Sequence, residues 1–131
     1  MARKEGVRKF DLEERLIEFA VLILGIAASI PKTNISMPLS GQLSRSGTAV
    51  ALNYAEAQSA ESRKDFVHKL KVALKELRET QVCLKIINKV KWIKDPVHLN
   101  QALSESNQLI SILMKSIATA TNNMNNEKLN R

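Results

Sequence analysis

Two Asp-x-x-His pairs, Asp65 with His68 and Asp95 with His98, imitate the ligand spacing that holds iron in carboxylate-rich helix bundles. Each pair stands at the start of a predicted helix, and the two helices are consecutive and antiparallel. A full helix length therefore separates them, roughly 40 Å at about 1.5 Å per residue. One chain cannot close such a site, Asp95 is needed as a helix cap, and there is no third histidine, so no metal is expected. Cys83, the single cysteine, lies about four turns from His68 on the same predicted helix, out of reach for a thiol–imidazole pair. It reads as a packed structural residue, and a lone thiol without a partner fits a reducing, cytoplasmic setting. Neither a P-loop nor a dinucleotide-binding glycine pattern is present. No catalytic residue and no cofactor are expected.

Charge is the remaining chemistry. The chain has 131 residues and a net charge of +7. Residues 1–62 hold seven basic and seven acidic side chains, and residues 95–131 hold three of each. The whole excess lies in Arg63 to Lys94, where ten Lys or Arg stand against Asp65, Glu76 and Glu79. Within it Lys64, His68, Lys71, Lys75, Arg78, Lys85 and Lys89 recur every three or four residues, along a flank beside the apolar positions Phe66, Leu70, Ala73, Leu74, Leu77, Leu84 and Ile87. Asp65 with Lys69 and Lys75 with Glu79 are supporting i,i+4 pairs, whereas Lys71 with Lys75 and Lys85 with Lys89 repel by a few tenths of a kcal/mol each. Such a stripe is either a solvated face or a phosphate-binding surface for RNA or DNA, reading charge and shape rather than bases. The alternative is a scaffold that docks an acidic protein.

The elements that would carry this stripe are helices. Four Gly, three Pro and 4% aromatic residues argue against a turn-rich β architecture. Runs of Ala, Leu, Lys, Glu and Gln favour helix. The first helix runs from an Asp11 cap to about Ser29, and its second half, FAVLILGIAA from Phe19 to Ala28, is apolar or small throughout. That run is too short for a membrane span, which needs roughly 20 residues, so it reads as a core helix, with self-association as a further use. The second helix, from a Ser36 cap to about Gln58, has the seam Leu39, Leu43, Gly47, Val50 and Tyr54. Its opposite face carries Gln42, Arg45, Ala49, Asn53 and Glu56, either solvated or in contact with another chain or a ligand. The third spans about Arg63 to Val90, with Trp92 beyond it as a plug for the bundle end or a stacking platform. The fourth starts at Asp95 as cap and Pro96 as first residue and ends near Thr121.

Short connections between long helices predict an all-α, antiparallel up-down-up-down four-helix bundle in a single domain over residues 10–121. A mobile basic N-terminus is expected over residues 1–9, and a mobile Asn-rich tail over residues 122–131.

The stretch QLSRSGTAVALNYAEA, Gln42 to Ala57, resembles the segment Q-L-R-R-A-x-x-S-V-x-x-N-I-A-E-G of the bacterial 23S rRNA intervening-sequence protein family. RKDFVHKLKVALKELRETQVCLKI, Arg63 to Ile86, is similar to the next segment of that family. With the apolar first helix and its terminal IPKT, the likeness covers about residues 10–120. Gln42, Arg45, Asn53 and Glu56 match the polar signature and Phe66 the aromatic. Ser44 stands in place of the first Arg of the usual pair, and Ala57 in place of a Gly. The family is similar in fold to the accessory variability protein of diversity-generating retroelements, a basic pentameric barrel that binds nucleic acid. The resemblance thus implies a homo-oligomer, a pentamer, with nucleic acid as a partner; the short apolar run of the first helix implies no membrane.

Overall fold

The computed structural model describes residues 11–130, in four helices: α1 (Leu12–Ser29), α2 (Ser36–Gln58), α3 (Arg63–Val90) and α4 (Val97–Leu129). The expectation of a mobile basic segment over residues 1–9 lies outside the described residues. Each helix packs on the next in sequence and α4 returns to α1, so α1 stands diagonally across from α3. This is the expected antiparallel four-helix bundle.

The helix ends follow local chemistry. Asp11, the expected N-cap, accepts the Glu14 N–H at 3.1 Å, and Ser62 caps α3 by accepting the Asp65 N–H at 3.0 Å. At α2 the expected Ser36 cap is instead one half of a reciprocal pair. Ser36 N–H donates to Thr33 Oγ1 at 3.0 Å, and Thr33 N–H donates to Ser36 Oγ at 2.9 Å, the logic of a capping box with Ser as its second member. At α4 the register differs by one residue. Pro96 takes the cap position and Val97 is the first helical residue, while the Asp95 carboxylate still accepts the Val97 N–H at 3.1 Å. α3 stops at Lys91, whose φ of 58° is left-handed and whose N–H donates to Ile87 O at 3.1 Å. Trp92 follows and is half-buried against the core at this end, as a plug.

The C-terminal boundary differs more. α4 continues eight residues past Thr121, to Leu129, rather than ending near Thr121. Asn lowers helix propensity by only a few tenths of a kcal/mol per residue, and no Gly or Pro interrupts the stretch. Ala120 is buried, and Glu127 accepts from Arg63 Nε at 2.9 Å, which ties the last turns to the start of α3.

Leu16, Phe19, Ile23, Leu43, Val50, Leu77, Leu84, Ile87, Leu109 and Leu113 form the main core, and Ala57, Val67, Leu70 and Ala120 a second cluster at one end. In that cluster α3 buries Val67 and Leu70, whereas the expected Phe66 is half-buried against it. Two polar locks tie neighbouring helices, one buried and one at the surface. The hydroxyls of Ser46 and Thr80 are hydrogen-bonded at 2.9 Å between α2 and α3. Arg15 holds Glu105 with two bonds of 2.7 and 2.8 Å between α1 and α4. α1 is not covered all round. Ile17, Val21 and Leu24 are 42%, 63% and 45% exposed, and Gly25 and Ala28 are exposed as well.

Candidate nucleic-acid interface

α3 is amphipathic in the strict sense: its buried residues fall on one side of the helix, facing α2 and α4. The opposite side must then face solvent. Lys64, Lys71, Lys75, Arg78, Lys85 and Lys89 are all exposed there, together with His68. Among the described residues none of these six is in an ion pair. Arg78 leans toward α4, where its guanidinium meets the Met114 sulfur at 3.4 Å. The expected stripe is therefore continuous along a helix of 28 residues, roughly 42 Å long.

The expected pairing along α3 is redirected. Lys69 reaches across to Glu56 of α2 at 2.7 Å rather than to Asp65, and that hydrogen bond, with the nearby carboxylate charges, raises its pKa. Glu79 accepts from Gln42 of α2 at 3.3 Å. The polar strip of α2 is thus engaged within its own chain. Arg45 donates to Gln42 at 2.6 Å, Asn53 donates to Ala49 O at 2.8 Å, and Glu56 holds Lys69. Gln42, Asn53 and Glu56 in this way join α2 to α3 or brace α2 itself.

The stripe is not uniform. Val82, Ile86 and Val90 are 53%, 42% and 46% exposed at i, i+4 and i+8, and they interleave with Lys85 and Lys89. A groove of about 520 Å³, lined by Gln42, Lys75, Arg78, Glu79, Val82 and Cys83, runs beside this row. The N-terminal half of the stripe, Lys64 to Lys75, has no exposed large apolar residue. Sequence reasoning placed the charges but missed the apolar row. Its signal was the four-residue spacing of Val82, Ile86 and Val90 on the side of the lysines, away from Leu84 and Ile87.

The remaining candidates do not converge. Cys83 is 5% exposed, and burial foremost, then the charge of Glu79, pushes its thiol pKa up, the opposite of an activated nucleophile. His68 and His98 are both exposed near the starts of antiparallel helices, and no three of His, Cys, Asp and Glu come together among the described residues. No helix of the described residues is long and apolar enough to cross a membrane.

Fold and surface together define a small, basic, all-α bundle with one outward-facing cationic helix. The chain belongs to the 23S rRNA-intervening sequence protein family, whose profile matches residues 8–115. It is also similar to the crystal structure of a protein of unknown function from the S23 ribosomal protein family of Bacteroides thetaiotaomicron, with 30% identity and a TM-score of 0.75. That match covers 82% of this chain and 98% of the other. Nothing among the curated proteins matches.

Proposed function

We propose that this protein is a non-enzymatic, self-assembling bundle of the cytoplasm that binds RNA or DNA through the outward face of α3. The observation that carries this reading is the coincidence of two facts. The segment that holds the whole net charge of +7 also places Lys64, Lys71, Lys75, Arg78, Lys85 and Lys89 on one exposed face, without ion pairs among the described residues. Lysines aimed at solvent suit phosphate as point charges and carry no base-reading geometry, so the expected recognition is of backbone charge and shape. A ring, with five copies on the family resemblance, multiplies this field around one particle.

A second reading rests on Val82, Ile86 and Val90. Apolar side chains between lysines suit an acidic, amphipathic protein surface better than phosphate. The test is binding of mixed-sequence RNA and DNA to the intact oligomer at near-physiological salt. Saturable binding supports the nucleic-acid reading, and its absence promotes the protein scaffold.

A further inference from the structure

A cavity of about 690 Å³ opens at the end of the bundle where α3 stops, between the last turns of α1 and the connection from α3 to α4. On the α1 side Leu22, Gly25, Ile26 and Ser29 recur at three- and four-residue spacing, so one face of the helix forms the wall. A β-carbon at Gly25 would meet no atom within 4 Å, which leaves a notch in that wall. The other wall is made by Trp92, Ile93 and Leu99. Trp92 packs against the core and also lines the cavity, so the plug does not fill the bundle end.

The rim of this apolar chamber is cationic. Lys94 lines it, and Lys32 and Lys91, both exposed, adjoin its lining residues Pro31 and Trp92 in sequence. The one acid of the lining, Asp95, already accepts the Val97 N–H at 3.1 Å. The basic run of the sequence, Arg63 to Lys94, thus ends at the mouth of the cavity: Lys85 and Lys89 lead along α3, and Lys91 and Lys94 follow in the connection. An apolar chamber with an aromatic wall and a cationic rim suits a planar aromatic body whose anionic groups stay outside.

We infer that the cavity receives one unpaired base of a bound nucleic-acid strand, with Trp92 as the stacking surface and Lys91 and Lys94 beside the flanking phosphates. This rests on the binding by α3 proposed above and names the kind of strand. A free nucleotide would leave the lysines along α3 unanswered, whereas a strand meets both features with one backbone. The volume falls within the range of about 300–1,000 Å³ typical of small-ligand sites, ample for a base. Stacking on an aromatic ring accepts every base, because every base has a π-face, and so agrees with recognition of charge and shape along α3. A base held in a duplex can enter only by leaving its stack and its partner, at a cost in free energy. The cavity therefore adds affinity for single strands, loops and overhangs and none for continuous duplex.

The test follows the emission of Trp92, the only tryptophan of the chain, in the full-length protein. The probes are a mixed-sequence RNA strand without self-complementarity and the same strand annealed to its complement as a blunt duplex. The single strand should quench the emission saturably, and the duplex should bind without quenching. Gly25→Leu fills the notch and raises helix propensity, so circular dichroism should be unchanged. It should remove the quenching and weaken single-strand binding about tenfold, the worth of one stacked base, while duplex binding stays as in the parent. A strand that binds with the emission unchanged, as when a second copy fills the cavity, overturns the base site and leaves the α3 reading standing. Equal quenching by strand and duplex, or parent behaviour of Gly25→Leu toward the single strand, overturns it in the same way. Binding of neither probe removes the α3 reading and this site together. Should Gly25→Leu change helicity or oligomer mass, Trp92→Leu keeps an apolar plug and should show the same tenfold loss confined to the single strand. No loss, or a loss shared by the duplex, overturns the site.

Discussion

Ile23 of α1 fills the space into which a β-carbon at Gly47 of α2 would project. Its Cγ2 lies 2.5 Å from that ideal position and its own Cβ 3.0 Å. The branch point of a β-branched side chain cannot swing away as a flexible tip would. Gly47 therefore sets how closely α1 and α2 approach. Gly47→Ala gains about 1 kcal/mol of helix propensity but incurs overpacking of about 1–3 kcal/mol, so a net loss of stability is expected in urea titrations. Combining it with Ile23→Ala should give less destabilisation than the two single losses added, because the cavity receives the new methyl group.

The buried hydroxyl pair predicts an asymmetry. Thr80→Val leaves Ser46 only the carbonyl of Leu43 at 3.4 Å and should cost about 1–3 kcal/mol. Ser46→Ala leaves Thr80 bonded to Glu76 O at 2.8 Å and should cost less. The double variant should be no less stable than Thr80→Val alone, by the midpoint of chemical unfolding.

Lys91 ends α3 at a positive φ, where a β-carbon is strained. Lys91→Gly should raise stability by up to about 1 kcal/mol, the strain relieved being partly offset by the freer unfolded chain. A thermal midpoint unchanged or lowered would contradict this.

Cys83 links stability to alkaline pH. Its folded pKa lies above the ordinary 9.0 because burial disfavours the thiolate. As pH rises through 9.0 the unfolded chain loses this proton while the folded chain keeps it, so stability falls with pH. Cys83→Ala should flatten that decline in urea midpoints measured between pH 8 and pH 10. Alkylation of the native thiol should be slowed about tenfold for each 1.4 kcal/mol of opening free energy.

Helix periodicity made most of the bundle legible: the spans of α1, α2 and α3 and the cap at Asp11 were readable because local chemistry decides them. The end of α4 was not, since propensity alone could not anticipate that Arg63 reaches Glu127. The charge stripe was legible as a count along α3. What sequence could not reveal is where long side chains go. Lys69 turns to Glu56 across the bundle, and Gln42 to Glu79, because tertiary neighbours compete with i,i+4 partners. The uncovered row of α1 was hidden for a related reason: a helix apolar on every side does not state which side its own chain will leave open.

The central claim is that α3 faces phosphate, and the salt dependence of binding tests it most directly. For mixed-sequence RNA or DNA and the intact oligomer, the logarithm of the binding constant should fall linearly with the logarithm of salt concentration. Lys64→Gln with Lys71→Gln, both exposed and outside the apolar row, should weaken binding on all sequences alike and flatten the slope by about one unit per lost contact per chain, with helicity and oligomer mass unchanged. Binding that is undetectable at near-physiological salt, or a slope identical in the parent and the variant, would contradict the claim.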